Sequence, residues 1–513
     1  MINKMLLPLC AIMMLGTLPV HAQTTSQPNN KLVVIATNDT HSQIDPTDDD
    51  NMGGVLRRKV VIDSIRAANP NVLLVDLGDP VQGTMYFNLF GGEVENMVMN
   101  ELGYDVRILG NHDFDNGMDS LSKNLQSVKS KMLSTNYRFA DSVPNAMFHP
   151  YLIEDFNGRK VGLIGINLQP KGMIAEGNYD GLTHLDAMKA ANATSWHLKN
   201  NEGVDIVLAL THVGYAPTGT GESDTELAAA SQDIDIILGG HSHTVINPAD
   251  SKSVPWRLPT ADTDSVTVTQ AGKAGKYVAV VEIDLDSKAT DYKLIPIDAR
   301  YDNRLDSALD AKIQPYRVQV EEIMNKPVGK LSYALDKESD ELLNWVADFI
   351  RDRGKQLYPV IDFAIVNKGG IRRGLPKGTF TQGQIQSMLP FNNKVVVLEL
   401  TGKDILDNLC IMARSGGNGL SEEARVEYNP QTGEIYKATL SGKDIDPEKT
   451  YYVATIDYLA NGGDYMTPLK NGKWMAKSDD KLYDDLLETL TNGKYKGKTI
   501  NPKTSKRMIP IDR

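Results

Sequence analysis

Residues 109–117, LGNHDFDNG, place an asparagine, a histidine and two aspartates within five positions, directly after a short β-branched run. Ionisable side chains this close together repel one another or pair badly unless another group holds them. A bound cation is such a group, because imidazole, carboxylate and amide donors all coordinate divalent metals. The segment therefore predicts a metal site at the end of a strand.

Similar side chains follow other predicted strands. Between residue 31 and about residue 300, five β-branched runs end in polar, metal-capable residues: KLVVIATNDTH, NVLLVDLGD, VRILGNHD, VDIVLALTH and IDIILGGHSH. Continuous apolar runs are typical of strands covered on both faces, and we expect helices such as NMVMNELGY and TELAAAS to cover them. Sites in open α/β sheets form outside the carboxyl ends of the strands. The residues expected to meet there are Asp39, His41, Asp79, Asn111, His112, His212, His241 and His243.

The histidines support this interpretation. Nine are present, and five of the eight outside the N-terminal leader fall at these strand ends. We expect the others, such as His149, His184 and His197, to be ordinary hydrogen-bonded residues. A donor set of imidazole, carboxylate and amide without thiolate suits Zn, Mn, Co, Fe or Mg. Seven ligands are too many for one tetrahedral ion but make two sites if a carboxylate bridges, and such a pair can clamp a phosphoryl group and activate water.

Composition limits the other function classes. The 513 residues are 41% hydrophobic and 23% charged, which is typical of a globular chain of two or three domains. A formal net charge of −12 argues against binding a nucleic-acid polymer. Lys4, the apolar run LLPLCAIMMLGTLPV and the VHA before Gln23 predict a cleaved signal peptide over 1–22. We therefore expect an exported protein, periplasmic or secreted, without a membrane anchor.

The segments NDTHSQ, LGDPVQG, GNHDFD, THVGY and GGHSH, in this order, resemble those of the calcineurin-like metallophosphoesterases. With its second half, the chain resembles the exported 5′-nucleotidase family, which includes UDP-sugar hydrolases and 2′,3′-cyclic-nucleotide phosphodiesterases. The resemblance implies an α/β fold, with a four-layer α/β/β/α metallophosphatase domain and a second α/β domain that binds the nucleotide. We expect the first domain over 31–302, a partly helical hinge segment interrupted at Pro315 over 303–326, and the second domain over 327–513.

The resemblance also implies roles for individual residues. Asp39, His41 and His243 would hold the first divalent cation, Asn111, His212 and His241 the second, and Asp79 would bridge the two. His112 is then a catalytic residue rather than a ligand, and Asp115 orients it. A hydrogen-bonding histidine beside the leaving oxygen is what the transition state of such a reaction needs.

In the second half, VNKGGIRRG, LPFNNK and IDYLANGGD match segments that bind the nucleotide in the family. The residues implied are Asn367 and Arg372 for the nucleoside or phosphate, Phe391 and Tyr458 for the two faces of the base, Asn393 for the base edge and Asp464 for the ribose. Nucleobases present π-faces on which aromatic side chains stack. One departure is Lys337, which stands in YALDKESDELL where the family usually has an arginine. A lysine is not a bidentate fork, so we expect weaker binding of diphosphates such as UDP-sugars.

The expected reaction is hydrolysis of nucleoside 5′-monophosphates to nucleoside and phosphate, by a monomer or homodimer whose site lies between the domains. The alternatives are a 2′,3′-cyclic-nucleotide phosphodiesterase, a UDP-sugar hydrolase, and a non-catalytic exported protein that binds metal or nucleotide.

Overall fold

A computed structural model of the protein describes residues 30–47, 49–217, 222–261 and 265–511. The predicted signal peptide lies outside these residues. Within them, no helix is both long enough and apolar enough to cross a bilayer.

Two mixed sheets form the N-terminal half. The first runs in the spatial order Thr290–Pro296, Tyr277–Asp284, Lys31–Thr37, Val72–Asp76, Val106–Arg107, Lys131–Leu133 and Phe148–His149. The second runs in the order Arg257–Pro259, Ser265–Thr269, Ile236–Leu238, Ile206–His212, Arg159–Asn167 and Leu152–Phe156. A separate ribbon pairs Tyr137–Phe139 with Leu182–His184. The strands that end in the predicted ligands pair in parallel within each sheet, so their carboxyl ends meet at one edge.

The two sheets pack face to face, and helices cover their outer faces. Along Lys31–Thr37, Leu32 and Val34 belong to the core shared with the second sheet, whereas Val33 and Ile35 pack against helices. The described residues therefore form the predicted α/β/β/α layers. The expectation that helices cover both faces of these strands is wrong, because the inner face of each sheet is covered by the other sheet.

The helices of this half begin mostly at polar caps. Asp186 accepts a hydrogen bond from the Lys189 amide, and Ser223 does the same for the Glu226 amide, which satisfies amides that the first turn leaves free. The helices are Val55–Ala68, Met85–Phe90, Glu93–Leu102, Gly117–Leu125, Ser142–Met147, Ala187–Asn200 and Asp224–Ala230, with 3-10 turns at His112–Phe114 and Ala299–Arg304.

The segments VTVTQAG and KYVAVVEIDLD suggest a hairpin, and that expectation is wrong. Ser265–Thr269 lies in the second sheet, and Tyr277–Asp284 lies in the first, where it pairs with Thr290–Pro296. The loop between them therefore crosses from one sheet to the other and passes over the carboxyl edge. This crossing places residues 270–275 against the predicted metal site.

The connecting segment is a docked helix. Ser307–Met324 continues through Pro315 rather than ending there, which corrects the expected interruption. Leu309 and Ile313 belong to the core of the N-terminal half, so the helix packs on that domain.

The C-terminal half has its own core, formed between residues 328 and 508. Its three-stranded sheet has the order Gly378–Thr381, Pro327–Leu331, Thr499–Ile500. Its five-stranded sheet has the order Gly419–Leu420, Phe363–Val366, Thr450–Ile456, Val395–Thr401, Lys473–Lys477. Its four-stranded sheet has the order Lys443–Asp444, Ile435–Leu440, Ala424–Tyr428, Met508–Pro510. Its helices are Asp340–Leu357, Gln382–Met388, Gly402–Arg414, Asp457–Ala460 and Leu482–Thr491, with 3-10 turns at Lys368–Gly370, Gly463–Tyr465 and Thr467–Asn471. The segment ELLNWVADFIRDRG, whose apolar residues recur at helical spacing, lies within the first of these helices.

Candidate metal centre and active site

The loops after the parallel strands bring the predicted ligands together at one edge of the two sheets. Two groups of side chains offer ligand atoms that all lie within 4.8 Å of one another: Asp39 with His41 and His243, and Asp39 with Asp79 and His212. Asn111 joins the second group, because its Oδ1 atom lies 3.3 Å from His212 Nε2 and 2.9 Å from His241 Nδ1. All seven residues predicted as ligands therefore lie in one cluster.

The carboxylate common to both groups is Asp39 rather than Asp79. Asp39 Oδ1 lies 3.5 Å from His243 Nε2 and 4.0 Å from His212 Nε2. Asp79 Oδ2 lies 3.2 Å from His212 Nε2. The assignment of Asp79 as the bridge stays a prediction.

The buried histidines are arranged as ligands rather than as ordinary core residues. His212 Nδ1 lies 2.7 Å from the carbonyl oxygen of Leu77, so this nitrogen carries a proton and Nε2 faces the cluster. Burial disfavours the charged ring, but the carboxylates of Asp79 and Asp39 outweigh it and raise the pKa of His212 to about 10, so a bound cation would take the place of the second proton. Burial lowers the pKa of His41 to about 3 and that of His241 to about 4. Both rings are therefore neutral at physiological pH, the state in which imidazole binds a metal.

Several contacts in the cluster suit cations bound between the side chains. The Nε2 atoms of His41 and His243 lie 2.9 Å apart, so at most one of these two nitrogens carries a proton and the other points its lone pair at it. Asp39 Oδ1 and His41 Nδ1 are buried and have no hydrogen-bond partner. Nitrogen and oxygen donors that converge in this way fit divalent metal ions.

The backbone is held in an unfavourable conformation at these positions. Among the described residues outside glycine, Asp39, His41, Asp79, His241 and His243 have φ between 47° and 78°. Left-handed backbone costs about 1–3 kcal/mol per residue and persists where the surroundings enforce it, commonly at functional sites. Gly110 has a different reason to be glycine, since a Cβ atom there would lie 2.1 Å from Asp79 Oδ1.

Local hydrogen bonds hold the other charged groups of the GNHDFD segment. His112 Nδ1 lies 2.9 Å from Asp115 Oδ2, and the His112 amide donates to Asp79 Oδ1 at 2.8 Å. Asp113 accepts from the Gly110 amide at 2.7 Å. The segment is thus stabilised from within as well as by the predicted cations.

His112 is poised to carry a proton. Burial disfavours the charged ring, but the carboxylates of Asp115 and Asp79 outweigh it and raise the pKa of His112 to about 9. Cations bound at Asp79 would cancel part of that attraction, and Asp115 is then the carboxylate that keeps the proton on the ring.

Two residues that position the site were missed by the reasoning from sequence. Gln270 is fully buried just after Ser265–Thr269; its Oε1 accepts from Ser242 Oγ at 2.9 Å and from the Thr244 amide at 2.5 Å, and its Nε2 donates to the Gly240 carbonyl at 2.8 Å. Its partners alternate with the two histidines of GGHSH, so it fixes the loop that presents both rings. Asn167, at the end of Arg159–Asn167, donates to the Leu109 carbonyl at 2.5 Å. The only sequence signal was their position directly at a strand end.

A cavity of about 740 Å³ lies between the metal cluster and the C-terminal domain. Its walls include His112 and Asp115 on one side and, on the other, every predicted substrate residue: Asn367, Arg372, Phe391, Asn393, Tyr458 and Asp464. Contacts also join the two domains across it, including the ion pair between Glu176 and Lys470 at 2.5 Å.

The substrate residues form a connected group. Asp464, with φ of 52°, accepts from Asn367 Nδ2 at 2.5 Å and from the Tyr458 hydroxyl at 3.0 Å. The Phe391 ring lies nearly parallel to the His112 ring, with centroids 6.2 Å apart, and the Arg372 guanidinium lies 5.5 Å from the Phe391 centroid. Phe391 is therefore a neighbour of the proposed catalytic histidine, which the sequence did not indicate.

Comparisons with known proteins agree with this architecture. Residues 32–245 match the family model for calcineurin-like phosphoesterases, and residues 322–471 match that for the 5′-nucleotidase C-terminal domain. The chain is thus a calcineurin-like phosphoesterase with a 5′-nucleotidase C-terminal domain.

Whole-chain similarities are more specific. The chain is 27% identical to the 5′-nucleotidase of Rattus norvegicus, over 90% of this chain and 88% of the relative. It is 26% identical to the trifunctional nucleotide phosphoesterase YfkN of Bacillus subtilis, of whose length the match covers only 35%. The structure of a 5′-nucleotidase precursor from Thermus thermophilus is similar, with a TM-score of 0.80 and 26% identity over 94% of this chain and all of that one. These similarities confirm the resemblance to the 5′-nucleotidase family that the motifs carry.

Proposed function

We propose that this protein is a dinuclear metal-dependent 5′-nucleotidase that hydrolyses nucleoside 5′-monophosphates to nucleoside and phosphate. The observation that carries the proposal is the cavity between the domains. Metal ligands and His112 form one wall, and Asn367, Arg372 and two aromatic side chains form the other. A cavity lined by metal-ligating groups from one domain and by aromatic rings from the other suits a phosphate joined to a base.

The seven clustered residues would hold two divalent cations, in the assignment that the sequence resemblance implies. Bound there, the cations would supply positive charge to the phosphoryl oxygens and acidify an attacking water. The low pKa of His41 and the protonated Nδ1 of His212 suit both rings to this role at neutral pH.

His112 would act on the reacting group itself. Asp115 fixes the ring through Nδ1, which leaves Nε2 to donate a proton or a hydrogen bond to the leaving ribose oxygen or to a phosphoryl oxygen. The main-chain bond from the His112 amide to Asp79 ties the position of the ring to that of the metal ligands.

The C-terminal residues would bind the nucleoside. Asp464 is held by Asn367 and Tyr458 and offers carboxylate oxygens to the ribose hydroxyls. Phe391 and Tyr458 both line the cavity and would stack on the base, with Asn393 at its edge. Arg372, which leans over Phe391, would contact the phosphate.

The proposal also covers the domain boundaries, the location and the oligomeric state of the protein. The domains are 31–302 and 327–513 with a connecting hinge at 303–326. Export to the periplasm or the medium would follow from the signal peptide predicted over 1–22 and would suit nucleotide catabolism outside the cytoplasm. The protein would act as a monomer or homodimer.

The decisive experiment compares AMP with p-nitrophenyl phosphate, which has no base to stack. Tyr458→Ala and Phe391→Ala should raise the KM for AMP by the equivalent of about 1–3 kcal/mol and change the smaller ester far less. A chelator should abolish both activities, and added Mn, Co or Zn should restore them. Equal losses on both esters would refute base stacking, and full activity in the metal-free protein would refute the dinuclear mechanism.

A substrate panel separates the alternatives. AMP, UMP, UDP-glucose and a 2′,3′-cyclic nucleotide should be compared at equal concentration, with substrate loss, the products formed and metal content measured together. We expect the monophosphates to be preferred, because Lys337 pairs with Glu338 at 3.6 Å and offers no guanidinium fork to a diphosphate. Tight metal and nucleotide binding without turnover would identify a binding protein instead.

A further inference from the structure

Gln82 is a buried polar residue with no function assigned so far. Its side chain is 2% exposed, and its Nε2 atom has no hydrogen-bond partner. It nevertheless lines the same cavity as Asp79, Asn111 and His112. The residue therefore lies in the wall of that cavity, with an amide nitrogen that no atom of the described residues satisfies.

The loop that carries Gln82 is held firmly against the metal centre. Gln82 has a φ of 66°, and Gly83 follows with a φ of 125°, where a Cβ atom would lie 2.8 Å from the carbonyl oxygen of His41. Thr84 Oγ1 donates to the Ser42 carbonyl at 2.9 Å. The chain therefore accepts a strained backbone at Gln82, as is common for residues that a site needs in a fixed place.

A buried donor without a partner carries a substantial desolvation penalty. That penalty disappears when a ligand supplies the acceptor. A phosphoryl group in the cavity presents several non-bridging oxygens, and its transition state needs donors aimed at them. A neutral amide meets that need without adding a positive charge that would repel cations bound at Asp79.

We propose that the Gln82 amide donates a hydrogen bond to a non-bridging oxygen of the phosphoryl group. Gln82 is then a substrate-binding residue for phosphate esters, and the inference rests on the function proposed above.

The test uses Gln82→Met, which keeps the length of the side chain but removes the hydrogen-bond donor, and Gln82→Glu, whose carboxylate can only accept hydrogen bonds. Gln382→Met is the matched control, since the amide of Gln382 donates at 2.8 Å to the hydroxyl of Tyr483, away from the cavity. Inorganic phosphate and adenosine are titrated separately into each manganese-loaded protein by calorimetry. Metal content and kcat/KM for AMP are measured on the same samples.

We expect Gln82→Met to weaken phosphate binding by at least about tenfold and to lower kcat/KM for AMP by about 10²-fold. Adenosine binding and metal content should stay at the values of the control. Gln82→Glu should lose at least as much, because a carboxylate repels phosphate.

Unchanged phosphate binding in Gln82→Met would overturn the inference. Loss of a metal would also overturn it, since Gln82 would then support the metal centre. So would equal losses of phosphate and adenosine, which would indicate a deformed cavity. If the unaltered protein binds phosphate but releases none from AMP, the proposed function fails, while the phosphate titration still decides the role of Gln82.

Discussion

Replacing Gln270 by methionine should weaken metal binding without touching a ligand. The side chain makes three hydrogen bonds to the loop 240–244, which presents His241 and His243 with left-handed backbone. At about 1 kcal/mol net for each bond, removing all three destabilises the ordered conformation of the loop by about 3 kcal/mol. If the loop must be ordered to bind metal, this loss corresponds to about 10²-fold in affinity, at the upper end of the 10–100-fold effect usual for residues that support metal ligands.

The assay is the manganese dependence of AMP hydrolysis after chelation. We expect the manganese concentration at half-maximal rate to rise by roughly that factor in Gln270→Met, while the rate at saturating metal stays close to that of the unaltered protein. Gln382→Met is again the control, because it removes an amide far from the ligands. A loss of maximal rate at an unchanged manganese midpoint would show that Gln270 does not act through the metal loop.

Three further predictions concern other parts of the molecule. His112→Ala should keep both metals but lose about 10²–10⁴-fold in rate; metal analysis that finds an ion missing would contradict the assignment of His112 as a non-ligand. Burial raises the pKa of Glu95 from 4.5 to about 7, so this carboxyl group ionises at a lower pH in the unfolded chain than in the folded protein, and the free energy of unfolding should fall by about 3 kcal/mol as the pH rises from about 4.5 to 7. Urea titrations of Glu95→Gln should lack this decline, and identical pH profiles for the variant and the unaltered protein would refute the prediction. Arg507→Met should destabilise the C-terminal domain by about 3–5 kcal/mol, because Arg507 is 1% exposed and pairs with both oxygens of Asp348 at 2.8 Å; a change below about 1 kcal/mol in urea unfolding would show that Asp348 is served by its other partners.

The metal centre was predictable because each of its ligands belongs to a short sequence motif. Each follows a β-branched run, and parallel strands in one sheet must end at the same edge. The pattern therefore placed residues as far apart as Asp39 and His243 in one cluster, and the structure brings them within 3.5 Å.

The misjudged hairpin shows what the local pattern leaves open. VTVTQAG and KYVAVVEIDLD are both good strands, and a short loop between two strands usually means that they pair. Here the loop crosses between two sheets, because each strand finds a better-matched neighbour elsewhere: Ile236–Leu238 for the first and Lys31–Thr37 for the second. Only packing of the two sheets decides between these pairings.

The sequence by itself determined the class of donors, their order at strand ends and the division into a metal-binding half and a second half. It did so because residue type and position after a strand are properties of short segments. Tertiary structure alone decided that Gln270 holds the histidine loop in place, that Gln82 lies in the cavity wall with an unpartnered amide nitrogen, and that the Phe391 ring lies nearly parallel to the His112 ring. These contacts join residues from different segments, most of them distant in the chain, and their energies depend on burial and orientation that exist only once the domains have packed.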